Sequence, residues 1–161
     1  MKTDPGGAPR AGPGTLRNAA ARGGFCARSA AGSGLEGRMR DVTIHVCTTC
    51  KREGDDPAAT RRGAQLRAAL AEKPQAGLRL VPVECLGNCK RSCTVALSAP
   101  GAWTYVFGDL DTHSAPDVLV AAGLLQNSTD GLMPWRGRPE AFKRGMIARI
   151  PPLEPLQEAA E

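Results

Sequence analysis

The sequence predicts an α/β fold built on one mixed β-sheet, and three observations carry that expectation. Two apolar runs of strand length, Val42–Cys47 and Leu78–Val83, flank a segment with helical periodicity. Two more strand-like runs, Thr94–Ser98 and Ala102–Phe107, follow closely and meet at Pro100-Gly101, a compact turn. A second helical stripe then completes the order β-α-β, β-hairpin, α. The β-α-β part implies a crossover joining a parallel pair, and the hairpin adds antiparallel strands.

Each element has its own reason. In the first strand Val42, Ile44 and Val46 alternate with Thr43 and His45, the period of a half-buried strand. Asp56-Pro57 reads as a helix start, an Asp N-cap followed by Pro at the first helical position. Gly63, Leu66 and Leu70 then share one face of a helix of about four turns. Lys73-Pro74 to Gly77 ends it. Trp103, Tyr105 and Phe107 alternate and pack on one sheet face. Ser114-Ala115-Pro116-Asp117 has the form of a capping box, opening a helix whose stripe is Val118, Ala121, Ala122 and Leu125. The whole is the thioredoxin-like arrangement.

Three segments are expected. Residues 1–38, a Gly/Ala/Arg/Pro mixture with too little apolar side chain to fold alone, read as a disordered leader. A start codon placed upstream of the true one, Met39, explains them slightly better, because the structural pattern begins just after that residue. Residues 39–127 form the thioredoxin-like domain. Residues 128–161, rich in Pro, Arg and Gly, form an extended arm packed on it, with one short helical piece near Glu140 to Arg144 and with Trp135, Arg136 and Arg138 to dock it.

Charge and composition exclude several classes. The formal charge is +5, yet residues 1–40 alone hold seven basic and two acidic groups, and residues 41–161 hold 14 of each. The domain is therefore neutral, and a basic nucleic-acid face is not expected. Aromatic residues are 4%, so Val, Leu and Ala must build the core. No run reaches the ~20 apolar residues that span a membrane, and no apolar h-region marks export. The leader is Arg-rich and acid-poor like a transit peptide, but its nine glycines and three prolines oppose the amphipathic helix such peptides form. The expectation is a cytoplasmic protein. In a reducing compartment, grouped cysteines serve as ligands or redox groups more often than as structural disulfides.

Five of the six cysteines are grouped: Cys47-Thr48-Thr49-Cys50, and Cys85-Leu86-Gly87-Asn88-Cys89-Lys90-Arg91-Ser92-Cys93. Each group follows a strand, so a fold can present both at one end of a sheet. Thiolates are the soft ligands of zinc and iron–sulfur clusters. Cys26 lies alone in the leader. Cys47, Cys50, Cys85 and Cys89 are the proposed metal ligands, with Cys93 as an alternative fourth. A cluster with four cysteines carries a charge of about −2 and calls for nearby positive charge and N–H donors. Lys51, Arg52, Lys90 and Arg91 flank the cysteines, and Gly87 lets the backbone approach.

Strand–Cys, helix, strand–Cys85-Leu86-Gly87-Asn88-Cys89 resembles the thioredoxin-like [2Fe–2S] ferredoxins, including the corresponding subunit of respiratory complex I. More narrowly, Val42 to about Leu153 resembles a bacterial family of predicted metal-binding proteins of unknown function. The segments that carry it are both cysteine groups, Trp103-Thr104-Tyr105-Val106-Phe107-Gly108-Asp109 and Pro134-Trp135-Arg136. The resemblance implies a [2Fe–2S] electron carrier, or an iron–sulfur module serving a redox partner protein, and not an enzyme by itself. The first pair departs from the ferredoxin pattern, which spaces it by four or more residues, so Cys50 and Cys93 compete for the fourth position.

Two other chemistries use the same residues. Structural zinc, or a metal carrier, also takes four cysteines, although a zinc ribbon pairs C-x-x-C with C-x-x-C across ~15–20 residues, and here 34 separate Cys50 from Cys85. A thiol–disulfide oxidoreductase would use Cys47 and Cys50, but its helix should begin at the first cysteine. His45 reads as a sheet-face residue and His113 as a loop residue. No Ser/His/Asp arrangement, phosphate loop or dinucleotide fingerprint is present.

Overall fold

The computed structural model describes residues 39–152; the leader with Cys26, and residues 153–161, lie outside the described residues. The strands are β1 (Val42–Cys47), β2 (Leu78–Val83), β3 (Val95–Ser98), β4 (Thr104–Phe107) and β5 (Met146–Ile150). The helices are α1 (Arg62–Ala71), α2 (Ala115–Gln126) and α3 (Glu140–Arg144). The sheet order is β2-β1-β3-β4-β5. β1 and β2 are parallel, and all other neighbours are antiparallel. This is the mixed, thioredoxin-like sheet expected from the element order.

Val42, Ile44 and Val46 are buried, and α1 and α2 pack against β1 and against each other over that side of the sheet. Leu66, Leu70, Val118, Ala121, Ala122 and Leu125 supply the helical half of the core. Tyr105 and Phe107 stack with centroids 6.1 Å apart, and Phe142 of α3 tilts onto Phe107 at 4.4 Å. Large buried side chains of this kind each contribute about 1.5–3 kcal/mol.

The helix starts differ from expectation. α1 begins at Arg62, not at Pro57, and no side chain caps it. Asp56 is used in a turn instead, accepting from Ala58 N at 2.8 Å, and Asp55 is paired with Arg62 at 2.8 Å. Local acceptors thus hold Asp56-Pro57 in a turn, and the helix has ten residues. The expected capping box at α2 is also absent. Ser114 Oγ turns back to accept from Asp111 N at 3.0 Å, and makes no cap bond.

After Asn127 the chain does more than extend. α3 lies where a helical piece was expected, and β5 then pairs with β4 as an edge strand that the periodicity did not reveal. Arg138 docks this segment: its guanidinium donates to Pro134 O at 3.0 Å and to Met133 O, and lies 5.4 Å from the ring centres of both Tyr105 and Trp135. Tyr105 Oη in turn accepts from Met133 N at 2.9 Å. Arg136 is exposed, as is Trp135. No helix among the described residues is long and apolar enough to cross a membrane.

Candidate metal centre

Strand direction brings the cysteines together. Cys47 ends β1 in register with Val83, which ends β2, so Cys85 leaves the sheet beside the first group. β3 runs the other way and therefore begins at this same end. Thr94, just before β3, accepts from Cys47 N at 3.1 Å, which puts Cys93 next to the first group as well. All five grouped cysteines are free thiols; Cys47, Cys50 and Cys93 are buried, while Cys85 and Cys89 are exposed.

The residues between Cys47 and Cys50 tie that loop to the exit of β2. Thr48 N donates to Val83 O at 2.8 Å and Thr48 Oγ1 to the same oxygen at 3.2 Å, while Thr49 Oγ1 donates to Glu84 O. The Cys47 thiol points the same way, with Sγ 3.6 Å from Glu84 O. In the second group, Gly87 N donates to Cys85 Sγ at 3.2 Å. Gly87 has a φ of +73°, a conformation that suits glycine, and no protein atom lies within 4 Å of where a Cβ would stand.

The neighbouring Cys93 thiol, and then burial, push the Cys50 thiol far above its ordinary value, although the Cys47 sulfur works the other way. Cys93 is lowered, first by the neighbouring Cys50 and then by the charges of Arg52 and Arg62, against the effect of burial. Cys89 is raised by the neighbouring Cys85, with smaller contributions from burial, Cys47 and Cys50. Among the described residues, no three His, Cys, Asp or Glu side chains already converge as a coordination sphere. The donor set nevertheless fits a thiophilic metal: free sulfurs, an N–H directed at one of them, and cationic groups alongside.

The four flanking bases divide by role. Lys51 and Lys90 are exposed and, with Arg52, Glu53, Ser92 and Asp109, line a cavity of about 380 Å³ beside Cys89. Arg91 is taken up by Asp109, through Nε at 2.8 Å and Nη2 at 2.7 Å. Arg52 reaches main-chain oxygens: Nε donates to Ser92 O at 3.4 Å and Nη2 to Leu110 O at 3.0 Å.

Several residues that shape the centre escaped the sequence reading. Asn88 Nδ2 bridges Arg91 O at 3.4 Å and Thr94 Oγ1 at 3.2 Å, bracing the loop between Cys89 and Cys93. Gly108 presses against that loop; a Cβ there would fall 2.6 Å from Arg91 O and 2.7 Å from Asn88 Nδ2. Gly63 lets α1 approach the first group, since its Cβ would stand 3.0 Å from the Cys47 carbonyl carbon and closer still to the oxygen. A glycine inside an apolar helical stripe was the one available signal. The histidines are elsewhere: His45 Nε2 meets Ser98 Oγ across β1 and β3 at 3.1 Å, and His113 is in the turn before α2.

Residues 44–152 match the model of a protein family described as a protein of unknown function, DUF1636. The chain belongs to this family. A solved thioredoxin-like [2Fe–2S] ferredoxin from Aquifex aeolicus aligns with a TM-score of 0.42 and 17% identity, covering 67% of this chain and 91% of the other. That likeness is too loose to carry an argument about this protein. No curated protein matches.

Proposed function

We propose that this member of the family is a small cysteine-ligated metal protein, and that its centre is a [2Fe–2S] cluster serving electron transfer to a partner protein. The observation that carries the reading is the gathering of five free thiols at one end of the sheet, from three separate strand ends. Cys47, Cys85 and Cys89 supply three ligands in this reading, and Cys50 or Cys93 the fourth. Bound there, the cluster would supply one-electron transfer.

The chain's own groups have definite tasks in it. Gly87 N–H stabilises the Cys85 thiolate by donating to sulfur. Arg52, Lys51 and Lys90 offset the negative charge of the ligand set. The buried Cys47, Cys50 and Cys93 face away from water, and the exposed Cys85 and Cys89 face the side from which a redox partner would approach. The protein is then a module rather than an enzyme, catalysis belonging to the partner, and it works in a compartment that keeps thiols reduced, the cytoplasm.

Zinc is the second reading, favoured by the burial of three of the five sulfurs, as suits a structural site. Thiol–disulfide exchange by Cys47 and Cys50 fits less well. α1 begins only at Arg62, so no helix N-terminus activates the pair, and Cys50 is raised rather than lowered.

The deciding experiment is anaerobic purification of the full chain, followed by iron, zinc and acid-labile sulfide analysis with a visible spectrum. A red-brown protein with equal iron and sulfide is expected. A colourless protein holding zinc would replace electron transfer with a structural or carrier role.

A further inference from the structure

We infer that Arg52, together with Ser92, is a positioning residue that sets how the two cysteine groups face each other around a bound metal. The inference rests on the metal reading above, whichever metal is native. Arg52 follows the first group by two residues, and Ser92 immediately precedes Cys93. They are joined reciprocally: Ser92 Oγ donates to Lys51 O at 2.7 Å, and Arg52 Nε donates to Ser92 O at 3.4 Å. The second arm of the guanidinium reaches Leu110 O at 3.0 Å. Leu110 is itself the backbone partner of Cys93, accepting from Cys93 N at 2.7 Å and donating to Cys93 O at 3.2 Å.

One planar group therefore grips both backbone segments that hold Cys93, while its own backbone is fixed two residues from Cys50. Arg52 N donates to Asp55 Oδ2 at 2.7 Å, and Asp55 N returns to Arg52 O at 3.2 Å. Ser92 is 4% exposed, so its hydroxyl has little water to replace Lys51 O. Arg52 is exposed overall, yet two of its donors are held by main-chain oxygens. The forked geometry also separates Arg from Lys, whose single ammonium has no planar pair of donors to span two fixed carbonyls.

The test is a Co²⁺ titration of the reduced full-length chain under anaerobic conditions, with affinity measured against a competing chelator. Thiolate-to-cobalt charge-transfer and d–d bands are expected for the unaltered protein. Arg52→Gln and Ser92→Ala should each lower affinity by about 10–100-fold, the usual effect of losing a group that orients a ligand. Arg52→Gln should also alter the d–d bands at saturating cobalt, and Arg52→Lys should not restore affinity. Circular dichroism of the metal-free variants checks folding; if Arg52→Gln does not fold, Arg52→Lys and Ser92→Ala carry the same comparison.

Affinity within about twofold of the unaltered protein in Arg52→Gln would overturn the inference. So would full rescue by Arg52→Lys, which would make charge rather than the fork the cause. A lower melting temperature with an unchanged saturated spectrum would reduce Arg52 to a structural role and overturn it too. A chain that takes no cobalt on its cysteines overturns the inference and leaves the metal reading to the iron, zinc and sulfide analysis, and normal cobalt binding with an indifferent Arg52 likewise removes only the inference.

Discussion

Gly63→Ala and Gly123→Ala are the same substitution within two helices, and the structure predicts opposite signs for them. Replacing Gly by Ala in a helix interior gains about 0.5–1 kcal/mol, because the unfolded chain loses freedom and the helix gains a better former. Gly123 lies in α2 with nothing within 4 Å of the added carbon, so it should realise that gain. At Gly63 the added carbon would stand 3.0 Å from the Cys47 carbonyl carbon, 3.2 Å from Cys50 Cβ, and well inside contact distance of the Cys47 oxygen. These are main-chain or buried atoms that cannot rotate aside. α1 must retreat from the end of β1, giving up the 3.4 Å bond from Gly63 N to Cys50 O and the fit of Leu66. Overpacking of this type costs about 1–3 kcal/mol, and a lost hydrogen bond about 0.5–1.5 kcal/mol. Set against the propensity gain, the net loss is about 0.5–4 kcal/mol. At about 4 °C per kcal/mol for a domain of this size, Gly63→Ala should melt about 2–16 °C lower and Gly123→Ala about 2–4 °C higher. The assay is thermal unfolding of the reduced, metal-free chain by circular dichroism. A Gly63→Ala variant that melts higher than the unaltered protein would refute the close approach of α1 to Cys47.

Three further outcomes are expected. Tyr105→Phe leaves the buried Met133 N–H without its acceptor and should cost about 1–3 kcal/mol in denaturant unfolding; an unchanged midpoint would place that N–H elsewhere. Asp55 is held below its ordinary value by the Arg52 N–H and by Arg62, so the stability it adds is present above about pH 4 and is lost as pH falls through its lowered value in the fold. Asp55→Asn should accordingly flatten the acid limb of the stability profile, and an identical acid limb in both proteins would count against that pairing. Cys85→Ser and Cys89→Ser should each abolish the bound metal while Cys26→Ser retains it, measured as metal per chain; full retention in both of the first two would refute the ligand assignment.

Strand and helix order were legible because they are local properties. Alternation in Val42–Val46 and the stripe Leu66–Leu70 each require only that one side be buried, and burial of those residues is what the fold delivers. The cysteine groups were legible for the same reason, since their spacing is short. Helix starts were less so: Asp56-Pro57 and Ser114-Asp117 have capping form, but their side chains found nearer partners in turns. β5 escaped because an edge strand pairs on one side only and its sequence carries little alternation.

The sequence by itself determined the order of elements from β1 to α2, the close spacing of the cysteine groups, and the equal numbers of acidic and basic groups in residues 41–161. Only the tertiary structure decided how those thiols are divided. Cys50 and Cys93 are both buried, with the adjoining Ser92 and Lys51 hydrogen-bonded, because β1 and β3 run antiparallel, whereas Cys85 and Cys89 leave the parallel strand β2 toward solvent. It also decided what holds each base: Arg91 looks equivalent to Arg52 in sequence, yet Asp109 captures one and main-chain oxygens of Ser92 and Leu110 hold the other. These partners lie 18 or more residues away along the chain, and at that separation no local pattern encodes a contact; only packing of the whole sheet brings them within hydrogen-bond reach.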